Sequence, residues 1–274
     1  MNTLLSRRWI ATLISLGIIV AVLGTVRFLA PPPRSAVGKQ QEQTPPPDPR
    51  IIVPTEHAAL GTVHHALPGR DVQIAFLSDT PLETIRGRSN QTHGYVVLAP
   101  DLTPQAGAWH VPVAELRTGL STRDEHLQRD EWLDAAAHPF IRFDLDRVID
   151  AEPVDDPAAS RTGARTISCT LIGTIQIKGT SRELIVPNAT ITTLPADASA
   201  TAAVAGELAA LRARFEIHLA DFGVAHRMIA TDENDRGKVS PIIAIELTLI
   251  HATVPPEDQP GSPIAGNPTL AGRR

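Results

Sequence analysis

Residues 167–177 read ISCTLIGTIQI. Ile167, Cys169, Leu171, Ile175 and Ile177 fall in one phase of a two-residue repeat, which Gly173 interrupts. Successive side chains of a β-strand point to opposite faces, so this phase builds an apolar row on one face of a long, half-buried strand. The alternation recurs along the chain. Val72, Ile74 and Phe76 carry it first, then Trp109, Val111 and Val113, then Ile141, Phe143 and Leu145. Phe215, Ile217 and Leu219 follow, and Ile243, Ile245, Leu247 and Leu249 close the series. Half-buried strands of this kind pair antiparallel. So many strands over one domain predict a sandwich or a closed barrel, and closure removes exposed edges.

Two stretches break the period. Asp124–Ala137 (DEHLQRDEWLDAAA) sets Leu127, Trp132 and Leu133 on a loose helical face, and Pro139 stops continuation, so a short helix or two turns is expected near 124–137. Pro195–Leu211 is Ala-rich without strand period, and reads as a loop or a short helix between strands.

At 274 residues the chain is long enough to bury a sizeable core. Charges of both signs are mixed along it, with a net of −5 and no Lys/Arg-rich run, which excludes a nucleic-acid partner. Aromatics make up only 4%, so the core must be built from Val, Ile, Leu and Ala. Cys169 is the single cysteine, which excludes an internal disulfide and a Cys-rich metal site. In an apolar alternating stretch it reads as a small buried hydrophobe, and it lies too far along the chain to accept a lipoprotein lipid. There is no G-x-S-x-G elbow, GK[ST] loop, H-E-x-x-H or dinucleotide glycine motif, so no enzyme, cofactor or metal centre is expected.

Ahead of the strands, Arg7 and Arg8 precede an uncharged run from Trp9 to Val26, extended past Arg27 by Phe28 and Leu29. As a helix Trp9–Leu29 spans roughly 30 Å, one hydrocarbon core. The alternative is a cleaved signal peptide, whose apolar region is about 7–15 residues before a small-x-small site. Here the run is longer and exits into Ala30-Pro31-Pro32-Pro33. The reading is an uncleaved single-pass anchor in the cytoplasmic membrane. Residues 1–8 stay inside because basic residues remain in the cytoplasm, and the β-domain lies on the periplasmic or extracytoplasmic side. Residues 30–54 hold two Pro triplets around a flexible polar stretch and read as a spacer. The folded domain is assigned to 55–252, and the Pro/Gly-rich residues 253–274 to a disordered tail.

Several motifs now join these observations. Leu116-Arg117-Thr118-Gly119, Arg123-Asp124-Glu125-His126-Leu127, Trp132-Leu133-Asp134, His138-Pro139 and Ile141-x-Phe143 follow one another. Phe76-x-Ser78, Pro81-Leu82-Glu83 and Ile85-x-Gly87 precede them; Leu171-x-Gly173, Ile177 to Leu184, and Asp221-Phe222-Gly223-Val224 come after. In this order, over about residues 70–250, they resemble the YceI-like family. The family's usual opening strand is not clear here, with Glu56–His65 its nearest candidate, and the Pro195–Leu211 insert is long. The resemblance implies a mainly β, lipocalin-like antiparallel eight-stranded barrel, exported in bacteria and holding a long isoprenoid-like amphiphile in an apolar cavity. On that reading the cavity is lined by Phe76, Trp109, Val111, Val113, Trp132, Leu133, Phe143, Leu171, Ile175, Phe215, Ile217 and Phe222. A side-chain-filled barrel, acting as a cell-envelope interaction or stress module, is the other reading.

Arg123, Asp124 and His126 are the candidate polar mouth, set to orient a headgroup. The competing reading is structural, with Arg123 paired to Asp124, Glu125 or Asp134 and Asp124 capping the short helix. Thr118–Gly119 and Lys178–Gly179–Thr180 read as turns in which glycine supplies positive φ. Asp221–Phe222–Gly223 reads as another turn, and His64–His65 as a solvated loop pair.

Overall fold

The alternating runs become strands of one sheet in a computed structural model, which describes residues 47–69, 73–155, 162–200, 203–224, 226–231 and 236–262. The expected anchor Trp9–Leu29 and most of the Pro-rich spacer lie outside the described residues. Among the described residues no helix is long and apolar enough to cross a membrane.

Ten segments are hydrogen-bonded side by side: β1 (Thr62–Ala66), β2 (Ile74–Asp79), β3 (Thr84–Ser89), β4 (His93–Leu98), β5 (Pro104–Pro112), β6 (Phe140–Val154), β7 (Arg165–Ile177), β8 (Thr180–Leu194), β9 (Leu208–His218) and β10 (Ile242–Ala252). Every strand pairing is antiparallel. β1 and β2 run in line along β10, pairing His65 with Ala252 and Phe76 with Ile245. β4 and β3 run in line along them in turn. The ten segments therefore make eight staves, and the β1–β10 pairing closes them into an up-and-down barrel.

Buried Gln73 bridges the two interrupted staves. Its side chain donates to the Leu67 carbonyl at 2.6 Å and accepts from Thr92 N–H at 2.8 Å. One buried amide thus satisfies backbone groups that no ladder partner reaches.

The structure departs from the sequence expectations at several points. The short helix is α2, Ser121–Leu127, and 128–137 continue as turns; Leu133 N–H returns to the Leu127 carbonyl at 3.1 Å, which ends the helix. The Ala-rich stretch contains a four-residue helix, Ala196–Ser199, but Leu208–Leu211 already belong to β9. There Ala209, Ala210 and Ala213 are buried. Glu56–His65 divides into a helical turn, Thr55–Ala58, and β1. His64 is not solvated: it is buried in β1, its Nε2 3.1 Å from Glu207 Oε1. Residues 253–262 were expected in the tail but fold onto the barrel end. Buried Gln259 donates to the Ala205 and Val254 carbonyls and accepts from Ala205 N–H.

The glycine turns match expectation, with φ of +82° at Gly119, +74° at Gly179 and +66° at Gly223. The chain divides into a unit ending at Pro45 and a unit starting at Pro46. The strand pairings and hydrophobic clusters described lie within the second unit, which therefore carries its own core.

Candidate functional site

The inward row of each stave does not fill the barrel. Inward residues Ile74, Phe76, Phe143, Phe215, Ile243, Ile245 and Leu247 are only partly buried. They line a cavity of about 610 Å³. A row that faces inward yet keeps exposed surface marks a hollow lumen, and this volume lies in the range of about 300–1,000 Å³ usual for small-molecule sites.

Three glycines shape the wall. A Cβ at Gly87 would overlap the ring of its cross-strand partner Phe76. At Gly107 it would lie 2.5 Å from the Trp109 indole, and at Gly173 2.5 Å from the Phe143 ring. Each ring therefore reaches into space that only a glycine leaves free.

The deep end is closed. Trp109 Nε1 donates to His251 Nε2 at 2.9 Å, so the imidazole proton sits on Nδ1, facing the Ala209 carbonyl at 3.4 Å. Burial holds the His251 pKa down at about 3, so the ring is neutral at physiological pH. Below it Leu67, Val204 and Ala252 pack with Leu208 and Ile250.

At the open end, α2 and its following turns meet residues 226–231 and 236–241. There the Trp132 ring stacks on His226, with centroids 4.8 Å apart. His226 Nε2 lies 3.1 Å from Glu131 Oε2. Arg123 pairs with Glu83 of the β2–β3 turn, tying α2 to the rim.

Of the residues expected in the lumen, Phe76, Trp109, Val111, Trp132, Leu133, Phe143, Leu171, Ile175, Phe215 and Ile217 line the cavity. Val113 and Phe222 are buried in the cluster packed around its upper half and are not among the lining residues. Arg123 and His126 line the opening. Asp124 turns away from it and accepts from Thr118 N–H and Oγ1, each at 2.7 Å, so it fastens the loop before α2 instead of capping the helix. Glu83, named above only as part of a family motif, also lines the opening, as do Arg129, Glu131, His226, Arg227 and Lys238, which sequence reasoning did not single out. They come from loops far apart in sequence and carry no periodic signal. Among the described residues no group of three or more His, Cys, Asp or Glu side chains is placed to hold a metal ion.

Fold and cavity together define a closed antiparallel β-barrel with an apolar internal cavity open at one end, the architecture in which small barrels enclose a ligand. The chain belongs to the YceI-like family, whose domain matches residues 67–250. Among solved structures it is similar to Burkholderia cenocepacia BcnA at 17% identity, covering 66% of this chain and 99% of that one, with a TM-score of 0.45. It is also similar to a polyisoprenoid-binding domain from Saccharophagus degradans implicated in plant cell wall breakdown, at 11% identity over 70% and 98% of the two chains, TM-score 0.43. A Campylobacter jejuni YceI protein gives 17% identity over 63% and 86%, TM-score 0.43. No curated protein matches the sequence.

Proposed function

We propose that this protein holds an apolar, isoprenoid-like lipid in its barrel, tethered by Trp9–Leu29 to the outer face of the cytoplasmic membrane. The observation that carries the reading is the lumen of about 610 Å³, walled by aliphatic and aromatic side chains and open at one end. A side-chain-filled barrel serving only as an interaction module would not leave inward Phe215, Ile245 and Leu247 partly exposed. Each buried CH₂ contributes about 0.8 kcal/mol relative to water. The competing environment is a bilayer of similar apolarity, so the net preference for the barrel rests on the headgroup. A tether keeps the barrel near its lipid source and raises the effective concentration.

The test uses fragment 46–274, which carries its own core. Incubation with labelled long-chain isoprenol in water without vesicles, followed by gel filtration, is expected to leave label with the protein. Label that elutes apart from the protein contradicts the reading.

A further inference from the structure

Among the described residues, cations outnumber acids around the opening. Both acids lining it are already engaged, Glu83 by Arg123 and Glu131 by His226. Arg129, Arg227 and Lys238 line the same opening, and none has an acidic partner among the described residues. Arg142 is apart from them: it alternates with inward Ile141 and Phe143 and lies over the Phe140 ring, 5.9 Å from its centroid.

The backbone at these three positions is fixed. Arg129 N–H donates to the His126 carbonyl at 3.1 Å, and its own carbonyl accepts from Trp132 and Asp134 N–H at 3.0 and 2.9 Å. Arg227 is held between His226, stacked on Trp132, and Met228, whose N–H donates to His226 Nδ1 at 3.1 Å. Lys238 precedes Val239, which bonds Met228 and Ala230 at 3.0 and 2.9 Å. The two cations of this segment thus sit on two chain stretches paired to each other. The wall of the same cavity includes apolar Leu116, Leu127 and Val224.

An apolar cavity bordered by three cations that have no acidic partner among the described residues suits a ligand with a hydrocarbon tail and an anionic head. We propose that the ligand carries an acidic oxyanion headgroup, phosphate or carboxylate in class, held by Arg129, Arg227 and Lys238. This rests on the lipid-holding reading and adds the headgroup's charge to it. Guanidinium and ammonium groups form charge-assisted bonds to oxyanions, roughly twice as strong as neutral ones.

The experiment compares two probes with one tail, geranylgeranyl phosphate and geranylgeraniol, binding to fragment 46–274. Trp109 and Trp132 are the tryptophans of this fragment and both line the cavity, so their fluorescence reports occupancy. The phosphate is expected to bind at least about tenfold more tightly, with the preference shrinking as salt rises. Arg129→Ala, Arg227→Ala and Lys238→Ala together are expected to abolish the preference, and an unchanged melting temperature shows that the variant folds. Arg129→Lys with Arg227→Lys is expected to retain it. Equal affinities in the unsubstituted fragment, or a preference that survives the triple substitution, overturn the headgroup assignment alone. Inorganic phosphate saturating the same response would make this a plain anion site and overturn it too. If neither lipid binds, the lipid-holding reading falls with it.

Discussion

The ring of Phe76 on β2 reaches over Gly87, its cross-strand partner on β3, into space that a Cβ at residue 87 would occupy. Bare backbone under the ring is what allows the lumen to stay wide. Gly87→Ala is therefore expected to push Phe76 into the cavity. Overpacking of this kind costs about 1–3 kcal/mol, read as a lower melting temperature, and the variant should accept shorter chains than the unsubstituted barrel. An alanine variant with unchanged stability and chain-length range would show that the wall does not depend on this contact.

Acid should weaken the barrel before its carboxylates titrate. His251 has an ordinary pKa near 6.5 when unfolded and about 3 in the fold, where burial and the neighbouring His64 and His65 oppose its charge. Between those values the unfolded chain binds a proton that the folded chain does not. The stability is therefore fully present above pH 6.5 and falls with pH, at a limit of about 1.4 kcal/mol per pH unit. His65, His93 and His110 are also lowered by burial and act in the same direction. Chemical denaturation at pH 7 and pH 4.5 should show this loss, and His251→Gln should flatten it. A stability equal at the two pH values would contradict the buried neutral ring.

The Trp132–His226 stack joins the two segments that face each other across the opening. An aromatic pair of this kind contributes about 0.5–1.5 kcal/mol. His226→Ala is expected to speed lipid release by up to roughly tenfold with little change in melting temperature. Stopped-flow tryptophan fluorescence measures it, and an unchanged release rate would show that exchange does not pass this contact.

Cys169 is buried in β7, and desolvation raises its thiol to about 11. Thiolate is the reactive form. A thiol reagent at pH 8 should label the native fragment only as fast as the barrel opens, and should label it at once in denaturant. Rapid native labelling would place this residue outside the core.

Much of the barrel is legible in the sequence because six staves keep one face apolar and the other polar. The parts that escape do so for physical reasons. β4 is buried on both faces: Tyr95 and Val97 pack outward against Ile51 and Val53, so HGYVVL shows no alternation. β3 places Gly87 on its inward row, where a hydrophobe would have signalled a strand. β8 is irregular near Asn188, where φ is +53° and its register with β7 shifts. The inward aromatics could be placed by period alone. The Trp109–His251 bond joins residues 142 positions apart, and the cations of the opening come from two loops, so neither leaves a local pattern.

The central claim is that the lumen holds lipid. Fragment 46–274, purified from a bacterial host without added ligand, should show by native mass spectrometry a protein mass plus one long-chain adduct that organic extraction recovers. A clean apo mass, unchanged after incubation with excess isoprenoid, would contradict the account.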